Sequence, residues 1–180
     1  MPALSRFEGQ TRALLKVQEG CDGHCAYCIV PQTRPTLSSK SLQEVAAEAQ
    51  ALVRAGHQEI VVTGVYLGAY GQWTVLHGKW PQGRNPHLGE LLDALARVLR
   101  LTRIRLGSLD PSDLTPEWVE VLQRHPAIMP PLHLSLQFGS DEILKRMGRQ
   151  YTPDAFRRVV TLLRTSLDRP ALTTGAINHE

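Results

Sequence analysis

Short apolar runs alternate with amphipathic helical patterns along the 180 residues, and this alternation constrains the fold more than any other feature. Runs rich in apolar and β-branched residues predict strands at 13–18, 60–63, 103–108, 132–137 and 171–174. Apolar residues spaced three and four apart predict helices between these strands. Repeated strand–helix units pair as parallel strands covered by helices. We therefore expect an α/β fold, an incomplete TIM-type β/α barrel in which the chain stops inside the barrel.

Helix-start signals support this division. Ser41 and Glu44 have the spacing of a capping box, while Thr115 and Thr152 each precede a proline that suits the first helical position. Two buried helix faces are predicted, one made of Leu88, Leu91, Leu92, Leu95, Val98 and Leu99, the other of Phe156, Val159, Val160 and Leu163. Glycines and prolines, Gly83 among them, predict a long loop between Gly64 and His87.

Composition is that of a soluble globular protein, with 42% hydrophobic and 21% charged residues. We find no apolar run of about 18 residues, and the start at 1–6 leads into no apolar segment, so we expect a cytoplasmic protein with no membrane partner. Basic residues exceed acidic ones by three between 141 and 169. This excess fits either a solvated helix surface or a face that holds RNA, and its members are Lys145, Arg146, Arg149, Arg157, Arg158, Arg164 and Arg169.

Three cysteines, the only ones in the chain, form a single cluster. Cys21, Cys25 and Cys28 have the spacing C-x3-C-x2-C, and Tyr27 directly precedes the last of them. Clustered cysteines in a cytoplasmic protein point to metal or redox chemistry rather than to a disulfide. Electron-carrier [4Fe–4S] clusters use four cysteines. Three thiolates would leave one iron open to a small molecule, so this spacing suggests a catalytic cluster.

A zinc site is the alternative for these cysteines, with His24 as the fourth ligand, because Cys3His zinc sites are common. His24 directly precedes Cys25, however, and neighbouring side chains in so short a loop do not easily converge on one ion. A cysteine loop without any metal is the remaining possibility.

Residues able to contact a ligand follow the predicted strands. Because the carboxyl ends of parallel strands converge on the ligand site, we select Gly64, Ser108, Asp110 and Gln137 together with the cysteine loop. Plain structural roles compete with these assignments. His133 fits a residue lining the strands, Asp110 with Pro111 fits a turn, and the tryptophans of the long loop, Trp73 and Trp80, fit either anchors or base-stacking groups.

Five blocks in this order resemble the radical S-adenosylmethionine (SAM) core of the tRNA methylthiotransferases. The resemblance covers about residues 12–174, and its closest branch acts on threonylcarbamoyl-adenosine next to the tRNA anticodon, although a ribosomal-protein branch shares most blocks. The blocks are KVQEGC with CAYCIVP at 16–31, EIVVTG with LGAYG at 59–71, RLGSLDP at 105–111, HLSLQ at 133–137 and GSDEILKRMGRQYT at 139–152.

The resemblance implies the chemistry and the cofactors. Cys21, Cys25 and Cys28 would hold a [4Fe–4S] cluster, the open iron would chelate SAM, and one electron from an external donor would cleave SAM to a 5′-deoxyadenosyl radical. Gly64 would allow close approach of the SAM amino group and Tyr27 would pack near the adenine. Ser108, Asp110 and Gln137 would contact SAM or substrate.

The chain also departs from the family pattern. Arg34-Pro35 stands in place of Arg-Gly, Gln137-Phe138-Gly139 in place of Gln-Ser-Gly, and 175–180 in place of the usual continuation. The resemblance implies two further modules in full-length members, an amino-terminal second-cluster domain and a carboxy-terminal RNA-binding module. We therefore expect 1–180 to be a radical SAM core, truncated at its carboxyl end and lacking both modules. Its tRNA substrate is an expectation, and a fragment that binds cluster or RNA without turnover is the alternative.

Overall fold

A computed structural model describes residues 10–81, 85–128 and 131–176. The segments 1–6 and 177–180 and the loop residue Gly83, all used in the sequence predictions, lie outside these ranges. The described strands are Arg12–Glu19 (β1), Ser38–Ser39 (β2), Glu59–Gly64 (β3), Arg103–Leu106 (β4), Leu132–Gln137 (β5) and Leu172–Ala176 (β6). The described helices are Val30–Thr33 (α1), Leu42–Arg54 (α2), His87–Ala96 (α3), Pro116–Arg124 (α4), Asp141–Arg146 (α5) and Pro153–Ser166 (α6).

The strands form an open, mostly parallel arrangement. One sheet has the order β2-β1-β3-β4 and a second pairs β5 with β6. A parallel bridge between Leu109 and Leu134 links the two sheets beyond the end of β4. Omitting β2, neighbouring strands therefore follow chain order, as in a barrel that does not close. The predicted partial α/β barrel is confirmed.

The prediction that all strands are parallel is wrong for β2, a short strand not predicted from the sequence. It pairs antiparallel with β1 through Gln18 with Ser39 and Glu19 with Ser38. The reason is local: the chain returns directly from the cysteine loop, with no helix long enough to carry it back to the other end of the sheet.

One face of the sheet carries the core. On β1, Ala13, Leu15 and Val17 are fully buried, whereas Leu14 between them is half exposed. The buried side chains of β3 and β4 alternate in the same way and pack in one cluster with helical leucines such as Leu52 and Leu91. Period-two burial on strands and period-3.6 burial on helices place the helices on a single face of the sheet.

The predicted helix starts occur where the caps indicated. The Ser41 hydroxyl accepts the Glu44 N–H at 3.2 Å, and the Glu44 carboxylate accepts the Ser41 N–H at 2.7 Å. The Thr115 and Thr152 hydroxyls cap α4 and α6 by accepting the N–H of Trp118 and of Ala155, without the reciprocal bond, and each threonine is followed by a proline. Such a cap contributes about 1 kcal/mol.

Two predicted faces are only partly correct. Leu99 is 77% exposed, because α3 ends at Ala96 and helical spacing no longer directs the side chains beyond it. On α6 only Leu163 is fully buried, and Phe156, Val159 and Val160 are half-buried at the margin of the core. Strand β4 also ends at Leu106 rather than at Ser108, because Leu109 turns to donate its N–H to the His133 carbonyl at 2.9 Å.

Candidate functional site

The cysteine loop follows β1 at the carboxyl-terminal edge of the parallel strands, where the loops after β3, β4 and β5 also lie. All three cysteines are free thiols; Cys21 is buried, while Cys25 and Cys28 are half-buried. Burial raises the pKa of the Cys21 thiol. Three free thiols therefore lie at the edge of the sheet where parallel α/β folds bind their ligands.

Gly20 makes the turn from β1 into this loop. Its φ of +79° lies in the left-handed region, and a Cβ at this position would be 2.0 Å from the Thr36 carbonyl oxygen. The Cys21 N–H donates to the Arg34 carbonyl at 2.9 Å. A residue with a side chain would be strained and would collide with backbone, so glycine at this position allows Cys21 to enter the interior.

Asp22 joins the cysteine loop to the long loop after β3. Its carboxylate accepts the Val75 N–H at 2.8 Å and the Thr74 hydroxyl at 2.6 Å. The adjacent Gly23 N–H donates to the Cys21 Sγ at 3.4 Å. These hydrogen bonds fix the first thiol relative to β3.

A second segment packs on the cysteine loop from the end of α5. The Ala26 N–H donates to the Met147 carbonyl at 3.0 Å. Gly148 has φ of +74°, and a Cβ there would be 2.4 Å from the His24 carbonyl oxygen. Only glycine allows this approach, which brings the next residue, Arg149, beside the thiols.

Arg149 contacts a cysteine, a carboxylate and a tyrosine at this edge. Its Nη1 lies 3.6 Å from the Cys25 Sγ and its Nη2 donates to the Asp110 carboxylate at 2.8 Å. Its Nε donates to the Tyr151 hydroxyl at 3.3 Å. Burial is the largest single influence and lowers the pKa of Arg149. The Asp110 carboxylate, together with Tyr151 and Tyr27, outweighs burial and raises the arginine pKa. A fixed cation therefore stands beside Cys25.

Gln18 explains why glycine occupies position 64. Its amide donates to the Gly20 carbonyl at 2.7 Å and its Oε1 accepts the Tyr66 N–H at 2.8 Å, which links the ends of β1 and β3. A Cβ on Gly64 would lie 2.9 Å from the Gln18 Cβ. A side chain at position 64 would therefore collide with Gln18, which is a structural reason for glycine at this position.

The other sequence-selected residues differ in their surroundings. Tyr27 is 49% exposed beside the cysteines, and burial of the remainder raises its pKa. Ser108 is exposed, whereas Asp110 is buried and bound to Ser112 and Arg149. Gln137 ends β5 with φ of +63°, an uncommon conformation for a residue with a side chain and one found often at functional sites.

Residues with structural alternatives also take definite positions. Trp80 is buried and donates its indole N–H to the Thr74 carbonyl at 2.8 Å, so it anchors the long loop. Trp73 is 66% exposed, with the Lys79 ammonium 5.7 Å from the centre of its ring. His133 lies 3.0 Å from the Thr173 hydroxyl across β5 and β6.

Sequence reasoning missed Gln18, Asp22 and Arg149 as site residues. Arg149 was noted only as part of the family-like block at 139–152 and as one of the basic residues between 141 and 169. A polar residue at the buried end of a strand, as at Gln18, was the signal available for one of the three. The hydrogen bonds of Asp22 and Arg149 span 53 and 124 residues, and spacing along the chain carries no sign of them.

The donor set fits an iron–sulfur cluster better than a single ion. Over the ranges 10–81, 85–128 and 131–176, no three His, Cys, Asp or Glu side chains converge as one metal ion requires. His24 is exposed. Thiolates that bind a cluster ligate different irons and need not converge, and a cationic N–H donor beside Cys25 suits thiolate ligands.

Comparison with known proteins identifies the family. The family model of the radical SAM superfamily matches residues 15–177 of this chain. The chain belongs to this superfamily, whose members use SAM with a [4Fe–4S] cluster. The superfamily match agrees with the open β/α arrangement and with the cysteine loop at its carboxyl-terminal edge.

Relatives of this superfamily member include tRNA-modifying enzymes. It is 40% identical to the threonylcarbamoyladenosine tRNA methylthiotransferase of Bacillus subtilis, over 95% of the chain and 36% of the relative. It is 37% identical to the tRNA-2-methylthio-N(6)-dimethylallyladenosine synthase of Paracoccus denitrificans, over 92% of the chain and 36% of the relative. The chain thus spans about a third of the length of these relatives.

Solved structures agree on the fold. The radical SAM methyltransferase TsrM from Kitasatospora setae aligns with a TM-score of 0.65 at 20% identity, over 91% of this chain and 30% of that one. The cobalamin-dependent SAM radical enzyme OxsB aligns with a TM-score of 0.65 at 18% identity, over 91% of this chain and 23% of that one.

Among the described residues, every helix is too short or too polar to span a bilayer.

Proposed function

We propose that this chain is the radical SAM core of a tRNA methylthiotransferase, acting on a modified adenosine next to the anticodon. The observation that carries the proposal is the set of three free cysteines in one loop at the carboxyl-terminal strand edge, in a chain 40% identical to a tRNA methylthiotransferase. The proposed tRNA substrate implies a cytoplasmic protein. We also propose that the full-length protein carries amino- and carboxy-terminal modules besides this core, since the chain spans about a third of the relatives' length.

The cofactor ligands in this proposal are Cys21, Cys25 and Cys28. When bound, the cluster and SAM supply reductive cleavage of a sulfonium bond, with the electron coming from an external donor. Burial of Cys21 keeps water from one side of the ligand set. Asp22 and Gly20 hold the loop, and Arg149 presents a cation to it.

Four other residues are proposed to touch SAM or substrate. Gly64 offers bare backbone at the end of β3, and Tyr27 offers an exposed ring beside the thiols. Ser108 and Gln137 end neighbouring segments with side chains that are not fully buried. For Asp110, whose oxygens bind Ser112 and Arg149, we propose an indirect role through Arg149.

Cluster assembly and SAM cleavage test the proposal. The 180-residue chain, reconstituted without oxygen, should bind about four irons and a similar number of sulfide ions. After reduction it should convert SAM to methionine and 5′-deoxyadenosine. Cys25→Ser should lose both properties, whereas Ser5→Ala, far from the motif in sequence, should keep them. Zinc in place of iron, or iron-loaded protein that leaves SAM intact, would overturn the catalytic proposal.

The second candidate is binding of cluster or RNA without turnover, favoured by the exposed basic residues Arg157 and Arg158 on α6. It predicts tRNA binding by reconstituted protein that produces no 5′-deoxyadenosine.

A ribosomal-protein substrate is tested separately, with the amino- and carboxy-terminal modules supplied. Modification of a ribosomal-protein peptide instead of tRNA would assign the chain to the ribosomal-protein branch.

A further inference from the structure

We propose that Arg149 raises the reduction potential of the cluster ligated by Cys25. This inference rests on the proposed function, because it requires a cluster at the three cysteines. It assigns to the end of α5 an electrostatic role in the reduction that must precede SAM cleavage.

The position of Arg149 beside a cluster ligand suits this role. Arg149 Nη1 lies 3.6 Å from the Cys25 Sγ, within the range of an N–H to sulfur hydrogen bond. The approach is not incidental, because Gly148 packs against the His24 carbonyl and Ala26 donates to the Met147 carbonyl. The backbone just before Arg149 is thus tied to the backbone of the cysteine loop.

The guanidinium of Arg149 also has little freedom to move. Its other nitrogens bind the Asp110 carboxylate at 2.8 Å and the Tyr151 hydroxyl at 3.3 Å, and its centre lies 5.1 Å from the Tyr151 ring centre. The Tyr151 hydroxyl is itself 2.5 Å from the Ser135 carbonyl oxygen. The side chain of Arg149 is 11% exposed. A donor held on three sides needs little reorganisation when the charge on the sulfur changes.

The positive charge of Arg149 favours the reduced cluster. Reduction adds one electron to the cluster, supplied by an external one-electron donor, and no proton is required. N–H donors and positive charge near the ligand sulfurs favour the more negative, reduced form. Asp110 partly offsets the arginine charge, but it binds Nη2, whereas Nη1 is the nitrogen that faces the sulfur. The net effect at Cys25 is therefore stabilisation of the reduced state.

A redox titration followed by electron paramagnetic resonance tests this inference, with dithionite and mediators setting the potential and no SAM present. We expect Arg149→Met to lower the ratio of reduced to oxidised cluster at a fixed potential about tenfold, equivalent to about 59 mV for a one-electron couple. Arg149→Lys, which keeps the charge but loses the fork, should shift in the same direction by less. Arg54→Met, at an exposed arginine of α2, is the matched control and should titrate like the wild type.

The outcomes separate this inference from the proposed function. Wild-type protein that binds no cluster would remove both. Equal midpoint potentials in wild type and in iron-loaded Arg149→Met would overturn the inference alone. Folded Arg149→Met and Arg149→Lys that both fail to hold iron, while Arg54→Met loads normally, would also overturn it, since Arg149 would then serve assembly of the site rather than its potential.

Discussion

The Asp22 carboxylate accepts the backbone N–H of Val75 at 2.8 Å across 53 residues of chain. This bond, with the one from the Thr74 hydroxyl, ties the cysteine loop to the long loop after β3. A single carboxylate therefore joins the loop that carries the thiols to the segment that follows β3.

Replacing Asp22 by Ala should loosen that attachment. The change leaves the Val75 N–H without its acceptor, and we expect the free energy of unfolding to fall by about 2 kcal/mol. Urea denaturation of the full chain measures the fall, and iron retained after reconstitution should fall with it. Asp168→Ala, at an 88% exposed side chain, should change neither quantity. Equal urea midpoints for Asp22→Ala and wild type would contradict the attachment role.

Gly68→Ala should be strongly destabilising. A Cβ at position 68 would lie 1.8 Å from an Asp113 carboxylate oxygen and 2.0 Å from its Cγ. Overpacking of this kind costs about 1–3 kcal/mol and sometimes more. Gly78→Ala in the same loop is the control, because a Cβ there meets no described atom within 4 Å. Thermal unfolding of the two variants should differ by several degrees, and equal transition temperatures would show that Asp113 moves away without cost.

Asp113 should make stability depend on pH. Burial raises its pKa from 3.8 to about 6, with the Asp110 charge adding to the rise and the nearby His77 opposing it. The folded chain therefore binds this proton more tightly than the unfolded chain. The stabilisation is complete below about pH 4 and is lost as pH rises through about 6, by about 3 kcal/mol.

Asp113→Asn tests this sign, since its amide does not titrate. Between about pH 4 and 6.5 the free energy of unfolding of wild type should fall relative to that of Asp113→Asn, as measured by urea denaturation at each pH. The exposed Asp168→Asn should follow the wild-type profile. Parallel profiles for wild type and Asp113→Asn would show that Asp113 does not titrate in this range.

The basic face from α5 to α6 should bind RNA through its phosphates. Arg157 and Arg158 are exposed on α6; Arg157 pairs with Asp154, and no described acidic group pairs with Arg158. For Arg157→Gln/Arg158→Gln we expect tRNA affinity to fall several-fold at low salt, and the salt slope to fall by about 1 for each phosphate that is no longer neutralised. Filter binding over a range of salt concentrations measures both. A matching decrease in Arg54→Gln, on α2, would indicate nonspecific charge instead of a defined face.

Local spacing was enough to predict the five parallel strands and the capped helix starts, and it singled out the three cysteines as candidate ligands. A capping box at Ser41, alternation along β1 and three cysteines within eight residues each involve neighbours in sequence, where geometry is fixed by the period of the backbone. The exposure of Leu99 marks the limit of this reasoning, since periodicity says little once the helix has ended.

Only the tertiary structure placed Arg149 beside Cys25 and Asp22 beside Val75. Arg149 carried no local signal, because an arginine after a helix is equally suited to solvent, RNA or a thiolate. Its position depends on how α5 and the loops after β1 and β4 pack at one sheet edge, and on Gly148 allowing the backbones to touch. The residues themselves thus specified which chemistry is available, while packing between distant segments decided which charge stands next to it.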